Sequence, residues 1–163
     1  MFKTNSSIII GISKFISNFF NPLTSLFIYY VWFSVQNYTL KEATQIFLPI
    51  LLITIIPISG WIFWNVKKGN YSNMDVSNRN ERKSLYFFIA AAIIAYLFFD
   101  YFKNGNIDLV MIFLLILLLV MQLSNYFIKS SMHTAFNVFV AARGFAKSSV
   151  LGIFWLGIAV LVG

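Results

Sequence analysis

Apolar residues run in long blocks along this chain, and polar residues gather in the gaps between them. Five blocks are strong: Phe20 to Gln36, Ile46 to Trp64, Leu85 to Tyr101, Leu109 to Ile128 and Ser149 to Gly163. A sixth, from Thr134 to Ala146, is weaker. A helix needs ~20 apolar residues to cross the hydrocarbon layer and leaves no backbone group unpaired there, so each strong block predicts a membrane helix. The second block holds Pro49, Pro57 and the pair Ser59-Gly60, which predict a kink within one helix rather than a break between two. Ahead of the first block, Ile8, Ile9, Ile12, Phe15, Ile16 and Phe19 repeat at helical spacing, while Ser13, Lys14, Ser17 and Asn18 take the other face. Residues 1 to 19 are therefore expected to form an amphipathic helix on the membrane surface. A secretory signal is the competing reading of this start; Lys14 and Asn18 interrupt its apolar run, and no small-residue cleavage site follows. The expected fold is an all-α integral membrane protein: a bundle of about six transmembrane helices over residues 20 to 163, preceded by that interfacial helix.

Composition supports this setting. Of 163 residues, 60% are hydrophobic and only 10% charged, with a mean hydropathy of +0.80, too little polar material for the shell of a water-soluble domain. With no cysteine, disulfide and thiolate chemistry are excluded. The net charge of +7 suits anionic lipid headgroups or an anionic substrate. Nucleic acid is not expected as a partner, because the basic residues sit in short gaps between apolar blocks. Membrane lipids and a phosphate-bearing lipid are the expected partners.

The two densest polar clusters are MDVSNRNERKS, Met74 to Ser84, and KSSMH, Lys129 to His133, which carries the one histidine of the chain. Two apolar blocks separate them, so they share a membrane side if every block crosses. Should Arg79, Arg82 and Lys129 contact substrate, the remaining basic residues divide almost evenly between the sides, and the positive-inside count assigns no orientation. Guanidinium groups bind phosphate oxygens through forked, charge-assisted bonds, hydroxyls add donors, and an imidazole passes a proton near neutral pH. Arginine and lysine beside a helix start also commonly anchor lipid headgroups, and Ser130 or Ser131 could serve as a helix cap. Asp100 and Asp108 flank a short polar turn. Arg143 and Lys147 mark the polar end of the weak block. Metal ligation is not expected, because the histidine has no carboxylate at a matching helical spacing.

The motifs FNPL at Phe20 to Leu23, NMDVSNRNERKS at Asn73 to Ser84 and KSSMHTAF at Lys129 to Phe136 resemble the phosphatidic acid phosphatase type 2 superfamily, in its small bacterial membrane branch. That family carries a Lys-x6-Arg-Pro loop, a Pro-Ser-Gly-His turn and a Ser-Arg-x5-His segment two helices later. Arg82 falls on the first signature's arginine, with Lys83 in place of its proline and Asp75 in place of its lysine. Ser131 and His133 match the second, with Ser130 for proline and Met132 for glycine. Asp75 would repel a phosphate unless paired, with Arg79 four residues on as the nearest candidate. The third signature would follow Gly163, where the last block falls short of the ~20 residues of a span, so the chain is expected to stop inside a helix.

The resemblance implies a bacterial cytoplasmic-membrane phosphatase that hydrolyses a phosphomonoester or diphosphate of a lipid through a phosphohistidine, without metal or other cofactor. The third-signature histidine would be the nucleophile. His133 would protonate the leaving alcohol, Arg82 and Ser131 would hold phosphate oxygens, and Arg79, Lys129 and Ser130 would add substrate contacts. The 163 residues alone would then be inactive. The alternative is a non-catalytic membrane protein that binds lipid headgroups or serves as a scaffold, which the departures at Asp75 and Met132 favour. A prenyl or phosphatidyl transferase would need magnesium-binding carboxylates, and Asp75 has no acidic partner at suitable spacing.

Overall fold

The computed structural model describes residues 11, 15–16, 19–76, 78–128 and 131–162. Most of the helix expected over residues 1–19 lies outside them, as do Lys129 and Ser130. Among the described residues the regular structure is entirely helical. Six helices follow the six apolar blocks: α1 (Pro22–Asn37), α2 (Leu40–Lys67), α3 (Arg79–Asn104), α4 (Leu109–Phe127), α5 (Met132–Phe145) and α6 (Ser149–Val162).

Short polar residues set the ends. Asn21 accepts the amides of Leu23 and Thr24, each at 3.0 Å, and Pro22 follows where a missing N–H costs nothing. Asp108 accepts Val110 N at 2.8 Å and Met111 N at 3.2 Å to start α4. Between these helices Gly105 closes α3 at φ 69°, a left-handed position that glycine takes without a Cβ clash.

The prolines of α2 are absorbed within one continuous helix of 28 residues. A wider π turn at Leu51–Ile55 sits just ahead of Pro57, with Ile56 N–H donating to the Leu51 carbonyl. Pro57 has no N–H for the carbonyl four residues back, and the shift to five-residue spacing re-pairs the backbone around it. Thr54 Oγ1 donates to the Ile50 carbonyl at 2.5 Å, so its hydroxyl is paired without leaving the helix.

α3 differs from its apolar block: it begins at Arg79, six residues before Leu85. Asn78 accepts Asn80 N at 3.0 Å and starts the helix while the sequence is still polar. Arg79, Arg82 and Lys83 are therefore helical residues and not loop residues, a correction that hydropathy could not supply because it detects only apolar turns.

The helices gather in two compact units, residues 1–39 with 131–163 and residues 40–130. In the first, α5 and α6 form a close hairpin and α1 packs on α5. Val140, Ala141, Trp155 and Ile158 are its buried core, and the Phe20 ring meets Trp155 edge-on at 5.7 Å. Gly144 and Gly152 permit the approach: a Cβ on Gly144 would lie 3.2 Å from Gly152 N, and one on Gly152 would run into the Phe145 ring. Beside them Asn137, fully buried, accepts from Ser25 Oγ at 2.8 Å and donates to the carbonyls of Phe20 at 3.0 Å and His133 at 2.8 Å. In the second unit α3 packs against both α2 and α4, burying Tyr86, Ile93, Leu114 and Leu118.

Three helices, α2, α3 and α4, are long and apolar enough to cross a membrane. No more than 28% of the most apolar window of any of them is buried within the protein, so most of that surface needs an apolar surrounding. This is compatible with a membrane protein. α1, α5 and α6 have 16, 14 and 14 residues, fewer than the ~20 of an ordinary span.

Gly144→Val should destabilise the α5–α6 hairpin by about 1–3 kcal/mol, the usual cost of forcing bulk into a packed contact, read as a lower melting temperature in detergent. Substitution at Gly157, where an added Cβ meets nothing within 4 Å, should leave the melt near that of the native chain.

Candidate functional site

α2 ends at Lys67, and the chain then returns to α3 through a polar loop stapled to α3 side chain by side chain. Asn70 N and Tyr71 N donate to the Asn65 carbonyl at 2.9 and 3.2 Å, which turns the chain at the helix end. Ser72 donates to Glu81 Oε2 twice, from its amide at 3.0 Å and its hydroxyl at 3.2 Å. Ser84 gives its one proton to the Glu81 carbonyl at 2.9 Å, so the 2.8 Å bond between Tyr71 and Ser84 has Tyr71 as donor. The Trp61 indole N–H completes the chain of bonds by donating to Tyr71 Oη at 3.0 Å.

At the end of this loop Val76 has φ 46°, a left-handed conformation that a β-branched residue adopts at a cost of about 1–3 kcal/mol. Val76 is 1% exposed, and its carbonyl accepts Arg82 Nε at 2.9 Å. Burial of the Val76 side chain and this charge-assisted bond hold the strained residue in place. Arg82 itself is only 8% exposed.

Arg79, one turn earlier, reaches α4: its Nε donates to the Asn125 carbonyl, and Asn125 Nδ2 donates back to the Arg79 carbonyl at 3.1 Å. Asn125 is 1% exposed, and its Oδ1 has no hydrogen-bond partner among the described residues. A buried acceptor of this kind is matched by a water or by a ligand O–H or N–H. Lys83 lies over the Tyr126 ring at 5.1 Å.

The first five residues of α3 thus carry Arg79, Arg82 and Lys83 against Glu81 alone. The helix dipole already places about half a positive charge at this end, so the cations raise a positive potential there and weaken the helix start. A bound anion would reverse that penalty.

Ser131 and His133 belong to the other compact unit. Ser131 is the N-cap of α5, its Oγ accepting Thr134 N at 3.3 Å, so the capping role open to it in sequence is one it fulfils. His133 is half-buried in the first turn of α5, and its carbonyl receives the Asn137 amide. Asp75 is exposed in the loop. Among the described residues no group of three or more His, Asp or Glu side chains could hold a metal.

Sequence reasoning brought forward Arg79 and Arg82 but not the residues that position them. Asn125 had a signal, as one of three polar residues, with Gln122 and Ser124, in an otherwise apolar α4. Val76 and Tyr71 had none, because their roles come from a backbone angle and a buried hydroxyl.

Comparison of the chain with known protein families, with curated proteins and with solved structures gives no match.

Arg82→Lys should release the loop, since an ammonium has no Nε fork to hold the Val76 carbonyl while pointing elsewhere. We expect a loss of about 1.5–3 kcal/mol, the range for a hydrogen bond to a charged group, and faster amide exchange over residues 70–76. Unchanged exchange would show that burial of Val76 alone holds the loop.

Proposed function

We propose that the chain belongs to a membrane-bound lipid phosphatase resembling the phosphatidic acid phosphatase type 2 superfamily. The observation that carries this reading is the entrance of α3, where Arg79 and Arg82 are held against backbone carbonyls at a helix start already positive by its dipole. Two immobilised guanidinium groups at the polar end of a membrane-length helix suit a phosphate attached to a lipid.

In this reading all six helices are embedded in a bacterial cytoplasmic membrane, and the substrate is a phosphatidate, a phosphatidylglycerol phosphate or an isoprenoid diphosphate. The resemblance would give the phosphate oxygens to Arg82 and Ser131, with Arg79, Lys129 and Ser130 as further contacts. The nucleophile is the histidine of a Ser-Arg-x5-His segment, which these 163 residues do not contain. It attacks phosphorus and the ester oxygen leaves with its bonding electrons, taking a proton from His133. Water then hydrolyses the phosphohistidine, returning a proton to the site. In this reading His133 serves as the acid only together with that histidine.

A second reading, a non-catalytic headgroup-binding or scaffold protein, is favoured by one feature. Arg82 Nε and Ser131 Oγ each have a structural bond, to Val76 and from Thr134.

The two separate in detergent, with phosphate release measured for this chain alone and for the chain with a Ser-Arg-x5-His segment joined to it. Release confined to the joined chain is expected, with His133→Ala lowering it by about 10²–10⁴ for a poor leaving group and less for an acidic one. Absence of release from all three lipid classes would sink the enzyme and leave the binding protein.

A further inference from the structure

The geometry points to a second, non-catalytic lipid site on α2: a groove that takes one acyl chain of an anionic glycerophospholipid and sets its phosphate beside Lys68. This inference does not rest on the phosphatase reading, and none of the residues it uses is among the candidates for that chemistry.

Pro57, Gly60, Trp61, Trp64 and Lys68 recur every three or four residues and share one face of the last turns of α2. With Phe88 of α3 and Asn70 of the loop they line a groove of about 520 Å³, within the ~300–1,000 Å³ of ordinary small-ligand sites. From Pro57 to Lys68 the helix rises ~16 Å at 1.5 Å per residue. That is about one leaflet of a ~30 Å hydrocarbon core, which suits one acyl chain aligned with a membrane-length helix.

The walls are built in advance. Trp61 stacks flat on Phe88, with centroids 4.4 Å apart and planes 9° from parallel, and its indole N–H is tied to Tyr71 Oη. Trp61 therefore cannot swing into the groove without breaking both a ring stack and a hydrogen bond. Gly60 keeps the middle open, since a Cβ there would meet nothing within 4 Å.

The polar end lies where the helix stops. Lys68 Nζ stands 4.6 Å over the Trp64 ring, which holds the ammonium at the rim. Asn65 and Asn70 are joined at 3.0 Å, Asn70 Nδ2 donating to Asn65 Oδ1. Among the described residues no carboxylate lines the groove, and Lys67 adjoins Lys68 in sequence. A tryptophan-walled apolar slot ending in a lysine is complementary to an acyl chain that carries a phosphate, and it disfavours a zwitterionic or uncharged headgroup. Casual contact with bulk lipid would need neither the fixed Trp61 nor the held Lys68.

The test uses the chain in phosphatidylcholine vesicles containing a minor fraction of brominated lipid, either phosphatidylglycerol or phosphatidylcholine with identical brominated chains. Brominated phosphatidylglycerol should quench tryptophan fluorescence more strongly and saturably. Lys68→Gln should weaken that saturable component about fivefold, as expected for one basic residue at an anionic surface. Gly60→Leu, which fills the slot, should abolish it with helix content unchanged by circular dichroism. Equal quenching by the two lipids in the native chain overturns the site, as does an excess that survives both substitutions. If Gly60→Leu fails to fold, the exposed Lys68→Gln decides alone, and undiminished preference there rejects the proposal.

Discussion

A helix in an apolar surrounding has no water to pair its polar groups, so every side-chain donor placed there must find an acceptor in the protein itself. In this chain the acceptor is repeatedly the backbone carbonyl. Asn137 bonds those of Phe20 and His133, Arg82 that of Val76, Asn125 that of Arg79, Asn65 that of Trp61 and Thr54 that of Ile50. Each such bond satisfies a donor and holds one element against another or one turn against the next. Buried polar residues are few here, and they act mainly as fasteners.

The start of α3 shows the same device under load. The loop before it reaches the helix only by placing Val76 in a conformation that a valine resists, and Arg82 makes that conformation tolerable by bonding the Val76 carbonyl from within the protein. A cation used in this way is also a cation fixed in position beside a helix dipole of the same sign. Rigidity and positive potential arise from one arrangement, and the proposed recognition of a phosphorylated lipid rests on that arrangement. The groove on α2 is built on a different balance, with flat aromatic walls and a single ammonium. The two proposed sites would therefore ask different things of an anion: a forked, partly buried grip at α3, and a rim contact on an acyl chain's headgroup at α2.

The six helices were legible because the apolar blocks are long and the punctuation between them is chemically specific. Ser131, one of two serines open to a capping role in sequence, is the cap of α5, while Asn21 and Asp108 cap α1 and α4 and Gly105 ends α3 as its freedom at positive φ allows. The early start of α3 was not legible by hydropathy, since its first turns are polar and only Asn78 announces them. The prolines of α2 signalled a disturbed helix, and the structure shows its form: a π turn within an unbroken helix.

Sequence alone determined that the described structure is all helical, with a helix on each of the six apolar blocks, and which charged residues lie between those blocks, because these depend on local periodicity and side-chain type. Only the tertiary structure decided what Arg79, Arg82 and Asn137 hold. Arg79 and Asn125 are 46 positions apart, and Asn137 and Phe20 are 117 apart. The partner in each case is a main-chain carbonyl, a group that every residue possesses and that leaves no mark in the sequence. Which carbonyl meets which side chain is therefore set by helix packing and by the strained turn at Val76.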